Sequence, residues 1–309
     1  MEKNTIHHAD WMTNDLPDGS VNLIIADPPY FEVRGDFDFV WNSFDDYLKD
    51  VEKWAIECKR LLAENGTLFW YGDDKRIAYA QIIFDKYFNL VNHLIWHKGE
   101  NFMGLNKSDG LRSFAPCTER ILMYSNEENS ENLFSDVMNY FEEERKKIGW
   151  NYKQCDDFLG IKASYCYWDK KTTHEYRIPE KSHYNKLQQT GFWQKPYKEI
   201  KSEYEDLRRP FDNFLNLNEV MRFNNESAMH TQYKHPTRKP EKLTRALLLT
   251  CSRPNDLVLI PFAGSGTECA MAKKENREFI GFEIDEKYHA VAMERLSDQE
   301  EKSNQIEMF

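Results

Sequence analysis

The chain has 309 residues, 41 Lys/Arg against 52 Asp/Glu, a formal net charge of −11, and 40% hydrophobic residues. That suits one large α/β domain, or such a domain carrying an insertion. No apolar run approaches the roughly 18 residues of a membrane helix, and the N-terminal MEKNTIHHADW lacks the apolar stretch of a signal peptide, so a soluble, cytoplasmic chain is expected. The six cysteines form no C-x-x-C pair and no histidines repeat at a metal-like spacing, which disfavours disulfides and zinc; no metal is assigned.

In chain order, a short strand at Thr5–Ala9 leads through Leu16-Pro17-Asp18-Gly19-Ser20 into an apolar strand, Val21–Ala26. That strand runs into Asp27, Pro28, Pro29 and Tyr30. Two prolines fix φ and remove two backbone donors, so neither sheet nor helix interior continues there. Alone, the segment reads as a rigid strand exit with an Asp turn residue. Apolar residues at 44, 47, 48, 51, 54, 55, 58, 61 and 62 predict a helix closed by Asn65-Gly66, then a strand at Thr67–Tyr71. A helix over about 75–87 and strands at Leu90–Trp96 and Arg120–Tyr124 follow. This alternation predicts a parallel sheet covered on both faces.

The character changes after Ser125. Residues 145–201 hold 13 Lys/Arg and 6 Asp/Glu, a net of +7, which leaves −18 for the rest of the chain. A basic, aromatic-rich block in an acidic protein suggests a local polyanion-binding surface, with a solvated Lys-rich face as the alternative. A helix ending at Gly149, a short helix at Asn151–Phe158, a turn at Gly160 and a third helix from Lys162 fit a helix-turn-helix. Its later helix would present Lys162, Ser164, Tyr165 and Tyr167. The alternative is an ordinary helical insertion with core aromatics.

The α/β pattern returns near Pro240, with helices at Glu241–Cys251, Thr267–Lys274 and Glu286–Leu296, strands at Leu257–Ile260 and Phe279–Phe282, and a polar, flexible tail at 297–309. The stretch LVLIPFAGSGTECA, Leu257 to Ala270, carries a strand into Gly264-Ser265-Gly266 and a helix. Glycines there admit close approach of a ligand, and the helix N-terminus offers unpaired N–H groups. The next strand ends at Glu283, placed to accept from the two hydroxyls of a ribose. Together they describe an adenosine-type cofactor pocket without a Walker lysine.

In those residues the chain resembles the DNA methyltransferases that modify the exocyclic amino group of adenine, specifically their beta group. DPPY at 27–30, the basic insertion, HPTRKP at 235–240 and PFAGSGT at 261–267 occur in that group's order, with further matches at 6–30 and at NHLIWHKGE, 92–100. The resemblance spans roughly 1–125 and 235–296; the middle matches only in position.

The resemblance implies S-adenosylmethionine as cofactor and a seven-stranded Rossmann-like methyltransferase sheet with circularly permuted motif order. The implied organisation is a catalytic domain over 1–128 and 233–296 and a mainly helical target-recognition insertion at 129–232. Asp27, Pro28, Pro29 and Tyr30 would be catalytic: the carboxylate and the Pro28 carbonyl accept the two amino protons, and the tyrosine ring stacks on an extruded base. Asp27 also borders the cofactor, with Pro261, Phe262, Ala263, Gly264, Ser265, Gly266 and Thr267 around it. Glu283 would hold the ribose, Asp10 would accept from the adenine N6 of the cofactor, and Thr237 and Lys239 would border its methionine end. Arg112, Arg120, Lys162, Ser164, Tyr165, Lys170 and Lys171 are the implied DNA contacts; His97 and Lys98 are left open between phosphate contact and strand end. One departure stands out: the family has an acid before Pro-Phe, supporting the loop and the methionine amino group, where this chain has Ile260, and Asp256 lies too far back to replace it.

The expected activity is adenine-N6 methylation of double-stranded DNA by base flipping. The alternatives are cytosine-N4 methylation and, in a different class, a non-catalytic DNA-binding regulator on the same fold. Asp27 favours adenine, since the cytosine enzymes more often carry Ser there. The resemblance also raises homodimerisation and leaves open whether a restriction endonuclease accompanies the chain.

Overall fold

The computed structural model describes residues 1–33, 36–99, 114, 116–126, 135–162, 164–168, 177–226, 232, 233 and 235–307, with side chains through 299. It divides into two compact units, Met1–Asn126 with Pro210–Phe309, and Glu127–Arg209.

The first unit is built on strands β1 (Thr5–His8), β2 (Val21–Ala26), β3 (Leu62–Gly72), β4 (Asn89–His97), β5 (Thr118–Ser125), β6 (Val220–Arg222), β7 (Leu257–Ile260) and β8 (Glu278–Glu283). They form one sheet in the order β1-β8-β7-β2-β3-β5-β4-β6. The half from β1 to β3 is parallel throughout, with Thr5 opposite Ile280, Leu259 opposite both Ile280 and Ile24, and Ile24 opposite Leu68. Strand β5 runs antiparallel to both β3 and β4. Strands β2 and β7 are apolar almost throughout because both faces are covered. Ile24, Leu68 and Leu259 join the core under helices α1 (Phe44–Leu61) and α2 (Ile77–Phe84). Their neighbours Ile25, Phe69 and Val258 point to the opposite core, under α7 (Glu241–Cys251), α8 (Thr267–Lys274) and α9 (Glu286–Glu307).

Helix α1 follows the predicted stripe: Tyr47, Val51, Ala55, Cys58 and Leu61 are buried, and Ser43 caps its start by accepting from the Asp46 N–H. Three expectations are corrected here. Asn65-Gly66 does not close the helix; α1 ends at Leu61, and the pair lies inside β3, where the partner of Val21 is Leu62 but that of Leu23 is already Thr67. Among the described residues the sheet has eight strands and not seven, because Val220–Arg222 pairs in parallel with Ile95–His97 at the edge. The C-terminal tail is helical through Glu307, with Asp298 accepting from Gln232 at 2.9 Å and from the Tyr233 hydroxyl.

The second unit holds α3 (Ser135–Ile148), α4 (Tyr152–Leu159), α5 (Lys181–Gln188) and α6 (Tyr197–Leu207) around Phe141, Trp168, Tyr184 and Trp193. It is helical and ends at Arg209, and residues from Pro210 pack with the first unit. An Asn151–Gln154 capping box starts α4, and Gly160, at φ 76°, ends it. The expected third helix is a single 3₁₀ turn, Ser164–Tyr167. Among the described residues of this segment Ser164, Cys166, Tyr167 and Trp168 are buried, and Lys162 is exposed.

Candidate active site

Asp10, Asp27, Pro261 and Glu283 follow or end four adjacent parallel strands, β1, β2, β7 and β8, at their C-terminal edge. Ligands of open α/β sheets bind at that edge. All four residues line one cavity of about 620 Å³, together with Pro28, Pro29, Tyr30, Thr237, Lys239, Phe262, Ala263, Gly264 and Ser265. Gly266 and Thr267 do not reach its wall; Thr267 instead accepts from the Arg295 guanidinium at 2.6 Å.

The stiffness after β2 is reinforced by a turn the sequence did not advertise. Phe31 and Glu32 both take positive φ, 61° and 52°, a costly conformation for residues with a Cβ. Asp38, 2% exposed, holds this turn: its Oδ1 accepts from the Tyr30 N–H at 2.7 Å, and its carbonyl accepts from Glu32 at 2.7 Å. The Phe31 ring packs between Trp41, Phe44 and Tyr47.

Both carboxylate oxygens of Asp27 are engaged. The Tyr30 hydroxyl donates to Oδ1 at 2.6 Å, and the Lys239 ammonium donates to Oδ2 at 2.6 Å. Lys239 is 3% exposed and also lies 3.3 Å from Glu119, whose other oxygen pairs with Lys98 at 2.6 Å. Charges therefore alternate along Lys98, Glu119, Lys239 and Asp27. Burial raises the Asp27 carboxyl above its ordinary value; Lys239 opposes this, and the Glu119 charge adds to it. Glu119 stays below the usual carboxylate range despite burial, held there by Lys239 and Lys98. Lys239 is raised despite burial by the two carboxylates beside it. Each carboxylate oxygen keeps a second lone pair for an incoming N–H donor.

The glycine loop is tied to the tip of β8. Glu283 accepts from the Gly264 N–H at 2.8 Å and from the Asp285 N–H at 2.9 Å, and burial raises its carboxyl. Gly264 takes φ 51° and its missing Cβ would sit 3.2 Å from the His235 ring. His235 is stacked on Phe37, its Nδ1 accepts from the Thr237 N–H, and burial with the Lys239 charge depresses it to about 4. An acceptor at Nδ1 places the ring proton on Nε2. Asp10 lines the cavity while capping the 3₁₀ turn Trp11–Thr13, accepting from the Met12 N–H at 2.9 Å.

Lys239 was expected at a cofactor's methionine end; it sits on Asp27. Asp38, Glu119, His235 and Glu268 were not singled out at all, nor were Trp11, Trp41 and Trp54, which supply apolar wall. Spacing gave no signal for them, since each reaches the site through tertiary packing. Lys98 resolves into an ion pair with Glu119, and His97 Nδ1 accepts from the Gly99 N–H. Of the expected DNA contacts, Lys162 is exposed and Tyr165 half-buried. Half-buried Arg120 donates to Thr118 at 2.7 Å. Ser164 is corrected: it is fully buried, its N–H donating to Asp156 and its hydroxyl to the Tyr152 carbonyl. Arg112, Lys170 and Lys171 lie outside the described residues.

With this geometry established, comparison with known proteins is specific. The DNA methylase family of N6/N4 type matches residues 21–294. The type II methyltransferase M.HinfI of Haemophilus influenzae is 26% identical over 95% of this chain and 68% of its own length. The DNA adenine methyltransferase YhdJ of Escherichia coli K12 is 27% identical over 96% of this chain and 83% of its own. A solved complex of M1.HpyAVI with SAM, 19% identical, shares the fold at a TM-score of 0.55, covering 94% of this chain and 98% of that one.

Proposed function

The chain belongs to the N6/N4 DNA methylase family, and on that premise we propose that it transfers a methyl group from S-adenosylmethionine to adenine N6 in double-stranded DNA. The observation that carries this reading is the placement of Asp27 in the same cavity wall as the glycine loop and Glu283. The residues fit the cofactor. Gly264 presents no Cβ to the cavity, Glu283 offers a carboxylate anchored by two backbone N–H groups, and Phe262 with Trp54 forms an aromatic wall at 5.1 Å centroid separation. Bound S-adenosylmethionine supplies an electrophilic methyl group on a sulfonium sulfur.

The rest is the work of the chain's own side chains. The adenine amino group is a poor nucleophile because its lone pair is delocalised into the ring. Asp27, whose ionised form Lys239 favours, accepts one amino proton in a hydrogen bond and the Pro28 carbonyl accepts the other, drawing the lone pair toward attack and stabilising the developing charge. The Tyr30 hydroxyl fixes the Asp27 rotamer, and its ring forms part of the surface for the extruded base. Extrusion costs a few kcal/mol, which base–aromatic stacking of roughly 1–3 kcal/mol offsets. The basic block 145–201 of the second unit, with exposed Lys146, Lys147 and Lys162, is the proposed DNA-reading surface.

The test is incubation with unmethylated DNA and methyl-labelled cofactor, digestion to nucleosides and identification of the labelled base. N6-methyladenine is expected, with Asp27→Ala losing about 10³-fold in rate while still binding cofactor. Label in cytosine would overturn the adenine assignment, and cofactor binding without any label would favour the non-catalytic regulator.

A further inference from the structure

The acidic groups lining the cavity are nearly all accounted for within the chain. Asp27 meets Lys239 and Tyr30, Glu283 meets the Gly264 and Asp285 N–H groups, and Asp285 itself accepts from the N–H groups of Lys287 and Tyr288. Asp38 holds Tyr30, and Asp10 holds Met12. Glu268 differs. It lies in the first turn of α8, directly after the glycine loop, lines the cavity and is 6% exposed. Among the described residues its side chain makes no ion pair; it accepts from the neutral Thr244 hydroxyl, at 3.3 Å from Oε1, and from its own backbone N–H, while the Lys239 and Arg295 charges act on it without pairing. A buried carboxylate accepts up to four hydrogen bonds and is costly to leave this poorly served. Ile260, the last residue of β7 before that loop, is 1% exposed and its side chain offers no polar atom.

We propose that Glu268 binds the α-ammonium group of the methionyl end of S-adenosylmethionine. This rests on the cofactor assigned above and names the residue that recognises its amino-acid moiety. Two considerations place the ammonium, and no other part of the ligand, at this carboxylate. The group to be transferred must stand at Asp27, after β2, and β7, whose loop leads to Glu268, lies between β2 and β8, which ends at Glu283; in the cavity that all three line, the methionyl end therefore lies on the Glu268 side and the ribose at Glu283. An ammonium brings three N–H donors to a carboxylate that lacks them, whereas the sulfonium brings none.

Titration calorimetry on the full chain tests this with three ligands: S-adenosylmethionine, S-adenosylhomocysteine, which keeps the ammonium but has no sulfonium charge, and 5′-methylthioadenosine, which has neither. Glu268→Gln should weaken the first two equally, by about 10- to 100-fold, as for a lost hydrogen bond between charged groups, and leave the third within about twofold. Glu268→Met, which removes the buried carboxylate altogether, should give the same pattern with an unchanged or raised ligand-free melting temperature. Equal losses for all three ligands, or no loss for any, would overturn the assignment, and so would a loss confined to S-adenosylmethionine, which would point to the sulfonium. A wild-type chain that bound none of the three would instead refute the cofactor reading itself.

Discussion

Replacing Lys239 by Met tests whether the buried charge chain governs catalysis. Lys239 stands 2.6 Å from Asp27 and 3.3 Å from Glu119, with side-chain exposures of 3%, 18% and 15%. At an effective dielectric of about 20, the two attractions are roughly 6 and 5 kcal/mol before desolvation is counted. Desolvation offsets much of this, and removing one member of such a buried pair typically costs about 3–5 kcal/mol. The loss is uneven. Glu119 keeps Lys98 at 2.6 Å, whereas Asp27 keeps only the Tyr30 hydroxyl. Assigning about 3–4 kcal/mol to Asp27 moves its carboxyl up by about two to three pH units from a value that burial has already raised.

The assay is the pH dependence of single-turnover methyl transfer. Asp27 must be ionised to accept the amino proton, so the acid limb of the Lys239→Met profile should move up by about two to three pH units, with activity recovering as the pH rises. Lys239→Arg keeps the charge and should keep the limb near its wild-type position. Stability carries the same sign: a carboxyl with a raised folded-state value favours the native state at pH below its unfolded value, and that contribution is lost as pH rises through the folded value. The melting-temperature deficit of Lys239→Met should therefore be larger at neutral pH than at pH 4. A folded Lys239→Met whose activity is reduced but whose acid limb has not moved would refute the idea that Lys239 sets the ionisation of Asp27.

Two further outcomes concern stability. His235 is depressed to about 4 from 6.5 by burial and by Lys239, so the folded state resists its protonation and the unfolded state does not; native stability should be complete above pH 6.5 and fall by about 3 kcal/mol toward pH 4, and His235→Gln should flatten that slope in urea titrations. Gly266 takes φ 71°, and a Cβ there would meet Ala292 Cβ at 3.0 Å and its backbone at 3.1–3.2 Å, so Gly266→Ala should cost about 2–4 kcal/mol, seen as a lower urea midpoint at unchanged slope.

What could be read from the sequence, and what could not, follows from the range of the forces involved. Strand β7 and helix α8 were predicted to the residue because an apolar run, a glycine turn and a helical stripe are each local patterns. Strand β6 was not, since three residues, Val220–Arg222, carry no period; they are a strand only because the edge of β4 is there to pair with. The helix expected from Lys162 is a 3₁₀ turn among the described residues for a related reason. Spacing can place Ser164 and Tyr167 after a turn, but only packing against Tyr152, Asp156 and His183 shows that they face inward. At the site, the DPPY segment was conspicuous because its prolines are conspicuous, whereas the Lys239 that sits on Asp27 is 212 residues away and looks like any lysine in a Lys-Pro pair. Glu268 shows the same limit more sharply. An acid in the first turn of a helix is what the helix dipole alone would favour, so nothing in its sequence context separates a surface cap from a buried carboxylate facing a cavity. Residues from both ends of the chain line that cavity, and a side chain's role there is settled by which partner the fold leaves it. For Asp27 that partner is Lys239. For Glu268 the described residues supply a hydroxyl and its own backbone N–H but no ion pair, and a cationic ligand is the partner whose charge and donors match what is left.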